Sequence, residues 1–420
     1  MHRFRMWRSS SPVAGLTAIA RGAIAAPERR LDPFTSSILD LTRWGAALLV
    51  VLFHVRGSLF PEWSVLPEAE RTLWLALFYR ITDCGHQAVL WFFVASGFLV
   101  GGNAVAEMRR GGFDLRRYLH DRAARLYAVL LPALLLGLVL DRARVSAYGM
   151  GGAGFETDAS YSLWTVVANA VFLQTIAAPT LGSNLPLWSL SYEAWYYVLF
   201  PLLLAPFWAR HGRMACLAVA AGMLGILLLR NVGVVTSFSV WLLGVAVRVS
   251  GYRLMRSQLA AWSLACGIAV AYPELVAEAG GAAARLLVGV SFANALLTSR
   301  RSGRSRPLPG LRLHREAAGA SFSLYAVHQP AMYFVMAVAA GHARPAWHLD
   351  PSDAACFATF FALVGFLLLV GWCFSRLTEN GTDGFRDAAR CAPAWMRGPG
   401  SRAAFVSRRG PAGPAWRATS

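Results

Sequence analysis

Long apolar stretches, separated by short basic segments, run through this chain from residue 38 to residue 376. Each stretch is long enough to cross, or nearly cross, the hydrocarbon core of a bilayer as a helix. We predict spans near 38–58, 86–105, 126–141, 190–208, 214–230, 234–250, 258–275, 282–299, 318–340 and 354–375. The pattern therefore predicts an all-α fold, a polytopic membrane bundle of about ten transmembrane helices.

Composition and charge agree with a membrane protein. Hydrophobic residues make up 56% of the chain, charged residues 15%, and the mean hydropathy is +0.46, which excludes a water-soluble globule. A net charge of +18 alone would suggest nucleic acid binding, but most basic residues lie in alternate segments between spans. The positive-inside rule then predicts that both termini are cytoplasmic and that no nucleic acid is bound. The use of arginine in place of lysine is typical of GC-rich bacterial genomes. We therefore expect this protein to lie in the inner membrane of a bacterium.

The ends of the chain differ from its middle. We predict a disordered basic cytoplasmic leader over 1–37, a transmembrane domain over 38–376 and a disordered basic cytoplasmic tail over 377–420. The six cysteines lack CxxC spacing, so we expect no metal site.

The first apolar stretch contains two ionisable residues, Arg43 and His54. Ionisable residues inside a membrane are functional candidates by default. An interval of eleven residues places both on one helix face, with their levels roughly 16 Å apart. A buried, hydrogen-bonded histidine and a snorkelling arginine are the alternative reading. As a pair, the imidazole can take a proton from a hydroxyl and the guanidinium can hold phosphate or carbonyl oxygen.

Two further segments suggest a binding slot. Small residues around Ser96 allow helices to pack closely, and the same closeness would form a slot for an extended thioester arm. Arg122 and Arg125 are spaced i and i+3, hence on one helix face, where two guanidinium groups can clasp the phosphates of a nucleotide-bearing donor. The arginines are alternatively a topology signal.

Polar and aromatic residues also mark two later spans. Glu193 follows Trp188 at a predicted outward span entrance, where its carboxylate would orient a base or bind a sugar hydroxyl. Alternatively, the aromatic residues there form an ordinary belt at the membrane interface. Ser321, Tyr325 and His328 share a helix face and form either helix-to-helix hydrogen bonds or the wall of a polar cavity.

Five blocks in this order resemble the acyltransferase-3 family of membrane acyltransferases. The blocks are Leu39-Asp40 with Arg43 and His54, Phe92 to Phe98, Arg122 to Arg125, Trp188 to Glu193, and Ser321 to His328. The resemblance covers about 38–376 and departs from the family at Thr42 and Trp44, where glycines often flank the first arginine.

The resemblance implies a function and a set of residue roles. His54 takes the catalytic position, Arg43 is the arginine required with it, and Glu193 matches the glutamate of the fourth block. Together with the spacing of these residues, the resemblance assigns donor binding to Arg122, Arg125 and Ser96. It assigns the acceptor cavity to Trp188, Tyr325 and His328.

The expected reaction moves an acyl group, acetyl first, from cytoplasmic acyl-CoA to a hydroxyl of a cell-surface or exported glycan. Acyl-CoA is a co-substrate, with no permanently bound cofactor, and the other partners are the acceptor and membrane lipids. A transporter or flippase of a glycan or acylated substrate is the alternative from another class, and a scaffold of a glycan-synthesis complex is the third. The sequence leaves the acceptor, the choice between direct transfer and an acyl-enzyme, and the oligomeric state open.

Overall fold

A computed structural model describes residues 31–148, 158–250, 255–300, 306–340 and 349–378. The described residues form helices and no β-strand, which confirms the predicted all-α fold. Most of the predicted leader and tail, residues 1–30 and 379–420, lies outside the described residues.

The described chain contains fifteen α-helices. They are α1 Pro33–Leu59, α2 Leu73–Thr82, α3 Gly85–Ser96, α4 Gly102–Arg109, α5 Leu115–Tyr148, α6 Leu163–Ala170, α7 Leu187–Leu203, α8 Ala205–Trp208, α9 Arg213–Arg230, α10 Val232–Val249, α11 Gln258–Val270, α12 Tyr272–Ala279, α13 Gly281–Ser299, α14 Leu311–Ala340 and α15 Ala354–Thr378.

The first helix begins five residues before the predicted span. Asp32 caps α1 by accepting a hydrogen bond from the Thr35 backbone N–H at 3.0 Å, and Pro33 occupies the first turn, where its missing N–H costs nothing. Thr35 and Ser37 are buried, so α1 packs against the bundle before the start of the predicted span. The basic segment before the third predicted span is also helical, because α5 starts at Leu115.

Each predicted span coincides with a helix or a helix pair. Among the described residues, seven stretches are long and apolar enough to cross a bilayer, and the pair α11 and α12, bent by 67°, makes eight if it is one span. The other two predicted spans fall on α7 and α14, which do not meet both conditions. Both helices are rich in buried polar residues, so ten crossings stay a prediction while a polytopic helical bundle is confirmed.

Glycines bring α3 and α10 into backbone contact. A one-turn π-helix, Gly97–Gly101, links α3 to α4, and a Cβ at Gly97 would collide with the Trp241 carbonyl oxygen of α10. A Cβ at Gly244 would likewise collide with the Val94 carbonyl oxygen. Because each glycine leaves room for the backbone of the other helix, the two helices pack in direct contact, as helices with small residues do in membrane bundles.

The segment between α6 and α7 covers one end of the bundle. Ser191 and Trp195 of α7 both donate to the Phe172 carbonyl, at 2.6 and 2.8 Å. The buried Asp141 carboxylate accepts from the Ser183 backbone N–H and hydroxyl at 2.8 and 2.7 Å. These bonds fix the irregular segment to α5 and α7.

Candidate active site

Two cavities lie one above the other along the bundle. The arginine cavity, of about 340 Å³, is lined by Arg43, Ser96, Arg122, Arg125, Glu193 and neighbouring apolar residues. The histidine cavity, of about 620 Å³, is lined by His54, His86, Trp188, Tyr192, Arg285 and the end of the α6 to α7 segment. Helix α1 runs past both, so Arg43 and His54 serve different cavities, as their eleven-residue interval indicates.

The arginine cavity carries an excess of positive charge. Arg122 and Arg125 project from the first turns of α5 into it, and Arg43 enters from α1. Neither Arg122 nor Arg125 forms an ion pair with a described carboxylate, and the buried Arg122 Nε has no hydrogen-bond partner there. Guanidinium groups that are not neutralised by the protein are suited to a phosphorylated ligand.

Glu193 is the carboxylate of the arginine cavity. Its Oε1 accepts hydrogen bonds from Ser96 Oγ and from Tyr197 OH, each at 2.5 Å, and Trp241 Nε1 donates to the same serine oxygen at 3.2 Å. Glu193, predicted at an outward span entrance, lines the arginine cavity, whereas Trp188 lines the histidine cavity. On α7, Ser189 and Glu193 share one helix face by their i, i+4 spacing, and Trp188 and Tyr192 share the neighbouring face.

The histidine cavity combines imidazole and aromatic groups. His86 stacks on Trp188 with ring centroids 5.5 Å apart and planes 20° from parallel. Trp188 also meets Tyr192 edge to face at 4.9 Å. Flat apolar faces beside polar groups are a surface that suits a sugar ring.

His54 has a second histidine beside it. The His328 ring centroid lies 5.3 Å from that of His54, and His328 is fully buried in α14. His328 Nδ1 lies 2.9 Å from the Tyr325 carbonyl oxygen, while its Nε2 has no partner among the described residues. His328 itself lines neither cavity, but its ring lies beside those of His54 and Tyr325, which do.

Tyr325 and Val89 form the wall that the two cavities share. The Tyr325 hydroxyl donates to the Pro186 carbonyl oxygen at 2.8 Å and lies 2.6 Å from Ser189 Oγ, so the ring is fixed across the junction of α7 and α14. A ligand that reaches from Arg122 to His54 must pass this tyrosine.

Four ionisable cavity residues were not among the sequence candidates: His86, Tyr192, Tyr197 and Arg285. Arg285 carries the same signal as Arg43, an ionisable residue within an apolar stretch. Tyr197 gave a weaker signal, since it lies four residues after Glu193 on one helix face. No group of three or more potential metal ligands occurs among the described residues.

Comparisons with known proteins identify a family for the chain. The family model described as an acyltransferase domain, acyltransferase 3, matches residues 37–374, which is most of the chain. The acyltransferase MdmB of Streptomyces mycarofaciens is 30% identical over 164 residues. The aligned region is 38% of this chain and 37% of that protein, so the chain matches little more than a third of its relative. No solved structure matches the chain.

Proposed function

The chain belongs to the acyltransferase-3 family, and from that premise we propose that this membrane O-acyltransferase moves an acetyl group from cytoplasmic acyl-CoA to a hydroxyl of an exported or cell-surface glycan. The observation that supports this most strongly is the contact between the two cavities. A cationic cavity for a phosphorylated donor and an imidazole cavity with aromatic walls share Tyr325 and Val89.

The donor occupies the arginine cavity in this proposal. Arg122 and Arg125 bind the nucleotide phosphates, and the thioester arm extends past Ser96 towards Tyr325. Arg43 lies at the level of the donor rather than of His54, which favours donor binding as its role over stabilising an oxyanion. Glu193 orders Ser96 and Tyr197 along the same path, and we assign it to the donor side rather than to the base.

The chemistry takes place at His54. In direct transfer, His54 removes the proton of the acceptor hydroxyl, whose oxygen attacks the thioester carbonyl carbon; the carbon–sulfur bond breaks and the proton passes to the leaving thiolate. In the acyl-enzyme route, an imidazole nitrogen takes the acyl group as the thiol leaves, and the acceptor hydroxyl then displaces it. Both routes need a histidine that contacts both the donor's end and the acceptor.

The experiment compares strains that lack the gene and are restored with wild-type protein or with His54→Ala at matched membrane levels. Base-labile acyl groups are released from the surface glycans and identified by mass spectrometry. We expect the His54→Ala strain to lose one defined ester by about 100-fold or more, since general base catalysis contributes roughly 10²–10⁴ in rate. The mass of the released acid identifies the acyl group.

His120→Ala is the matched control. His120 is an exposed histidine on α5 that lines neither cavity, so its removal tests for a general effect of losing an imidazole. Full ester content in both variants would contradict the proposal and favour transport or scaffolding.

A further inference from the structure

Arg285 is a charged side chain in the histidine cavity that has few polar partners among the described residues. It lies in the first turns of α13 and lines the cavity together with His86 and Tyr192. Its one hydrogen bond runs from Nη1 to the Thr236 hydroxyl at 3.2 Å, and it forms no ion pair with a described carboxylate. A guanidinium has five N–H donors, so most of its capacity is unused.

The described lining of the cavity around Arg285 contains no carboxylate. Its ionisable lining residues within the described chain are His54, His86, Tyr192, Tyr325 and Arg285, without an aspartate or glutamate. Three described carboxylates that do not line the cavity have partners of their own. Asp83 pairs with Arg56, Glu274 with Arg80, and Asp141 with Ser183 and Arg144.

A purely structural role does not account for this arginine. A snorkelling arginine extends its charge towards the membrane surface and leaves its stem along apolar side chains. Arg285 instead lines the cavity that also contains the stacked pair of His86 and Trp188. A cation kept at such a place, without a counter-charge, is suited to an anionic ligand group.

We infer that Arg285 binds an anionic substituent, a carboxylate or a phosphate, on the acyl acceptor. The inference rests on the proposed function in one respect, namely that the histidine cavity receives the acceptor. It adds that the acceptor is an acidic glycan unit and that Arg285 selects it. The stacked aromatic wall then holds the sugar ring while the guanidinium holds its charged group.

The first test measures ester content in cells that carry Arg285→Gln, Arg285→Lys or Arg80→Gln. We expect Arg285→Gln to lower the ester yield by about tenfold or more, as loss of hydrogen bonds to a charged group does. We expect Arg285→Lys to retain part of the yield, because lysine keeps the positive charge but lacks the planar pair of N–H donors of a guanidinium group. Arg80→Gln, which removes one exposed arginine outside the cavity, stays at the wild-type level.

A His54→Ala variant in the same series tests the proposed function separately from the role of Arg285. Loss of the ester with His54→Ala, together with wild-type yield for Arg285→Gln, would overturn the role of Arg285 and leave the proposed function standing. Full yield with His54→Ala would overturn the proposed function itself.

The second test identifies the anion by binding to the purified protein in lipid nanodiscs. The probes are glucose, glucuronate and glucose 1-phosphate, measured by calorimetry with wild type and Arg285→Gln. We expect one or both charged sugars to bind at least about tenfold more tightly than glucose, and Arg285→Gln to abolish the difference. A preference for glucuronate assigns a carboxylate and a preference for glucose 1-phosphate assigns a phosphate. No preference for either, or one that persists in Arg285→Gln, would refute the inference.

Discussion

His328 has a buried ring nitrogen beside His54 that is available to accept a hydrogen bond. Its Nδ1 lies 2.9 Å from the Tyr325 carbonyl oxygen and 3.1 Å from that of Leu324, and carbonyl oxygens only accept, so Nδ1 carries the hydrogen. The buried Nε2 is then an acceptor without a partner in the described chain, and the His54 ring lies 5.3 Å away, centroid to centroid. No hydrogen bond joins the two rings in this structure; we infer that one forms from His54 to His328 Nε2 when substrate is bound, and that it holds the other His54 nitrogen ready to act as a base.

Substitution of His328 tests this positioning role. We expect His328→Phe to lower kcat by about 10- to 100-fold while the KM for acyl-CoA stays the same, because the donor lies in the other cavity. His328→Gln places an amide oxygen near the former Nε2 and should restore part of the rate. Steady-state kinetics of purified enzyme separates the two constants. A parallel loss of rate in both variants, with full thermal stability, would contradict the role.

At the level of single elements, α5 shows what spacing along a chain can predict. The three-residue interval between Arg122 and Arg125 predicted one shared helix face, and the structure places both side chains in one cavity. The interval between Arg43 and His54 likewise predicted two levels on α1, and they line two cavities. Such relations follow from helix geometry alone, without knowledge of neighbouring helices.

Contacts between residues on different helices could not be predicted from the sequence in the same way. Glu193 was predicted among aromatic residues at a span entrance, and the structure adds its hydrogen bond with Ser96 of α3, which no pattern within α7 indicates. The contact between His54 and His328 joins α1 to α14, far apart in the sequence, and no periodicity within either helix indicates it. Helix crossings of this kind depend on packing, such as the glycine fit between α3 and α10.

The polar face of α5 gives a prediction for donor binding. Arg122→Ala together with Arg125→Ala should weaken the apparent affinity for acyl-CoA by at least about tenfold, since charge-assisted bonds to phosphate are lost. The matched control is Arg116→Ala with Arg117→Ala, which removes two exposed arginines of the same helix that line neither cavity. Titration of acyl-CoA against initial rate measures both. Equal KM values for the two double variants would show that the cavity arginines do not bind the donor.

At the scale of the whole molecule, two cavities meet at one place, where the proposed function brings the two reactants together. The arginine and histidine cavities are built from the same helices, α1, α3, α7 and α14; they use different levels of α1 and α3 and different faces of α7. A membrane enzyme that joins a charged donor to an acceptor from the opposite side must bring the two together without opening a water-filled path. Tyr325, held by Pro186 and close to Ser189, occupies the place where such a path would form.

Tyr325 should therefore limit wasteful hydrolysis of the donor. We expect Tyr325→Ala to merge the cavities, admit water to the thioester and raise acceptor-independent release of free CoA severalfold, while transfer to the glycan falls. Tyr325→Phe keeps the ring and loses only the hydroxyl bonds, worth about 1 kcal/mol of stability each, so its hydrolysis should stay near the wild-type rate. A thiol reagent measures released CoA with and without acceptor, and thermal unfolding confirms that both variants are folded. Unchanged hydrolysis and transfer in Tyr325→Ala would mean that donor and acceptor meet by another route, because the larger residue of the wall that Tyr325 and Val89 share would have been removed without effect.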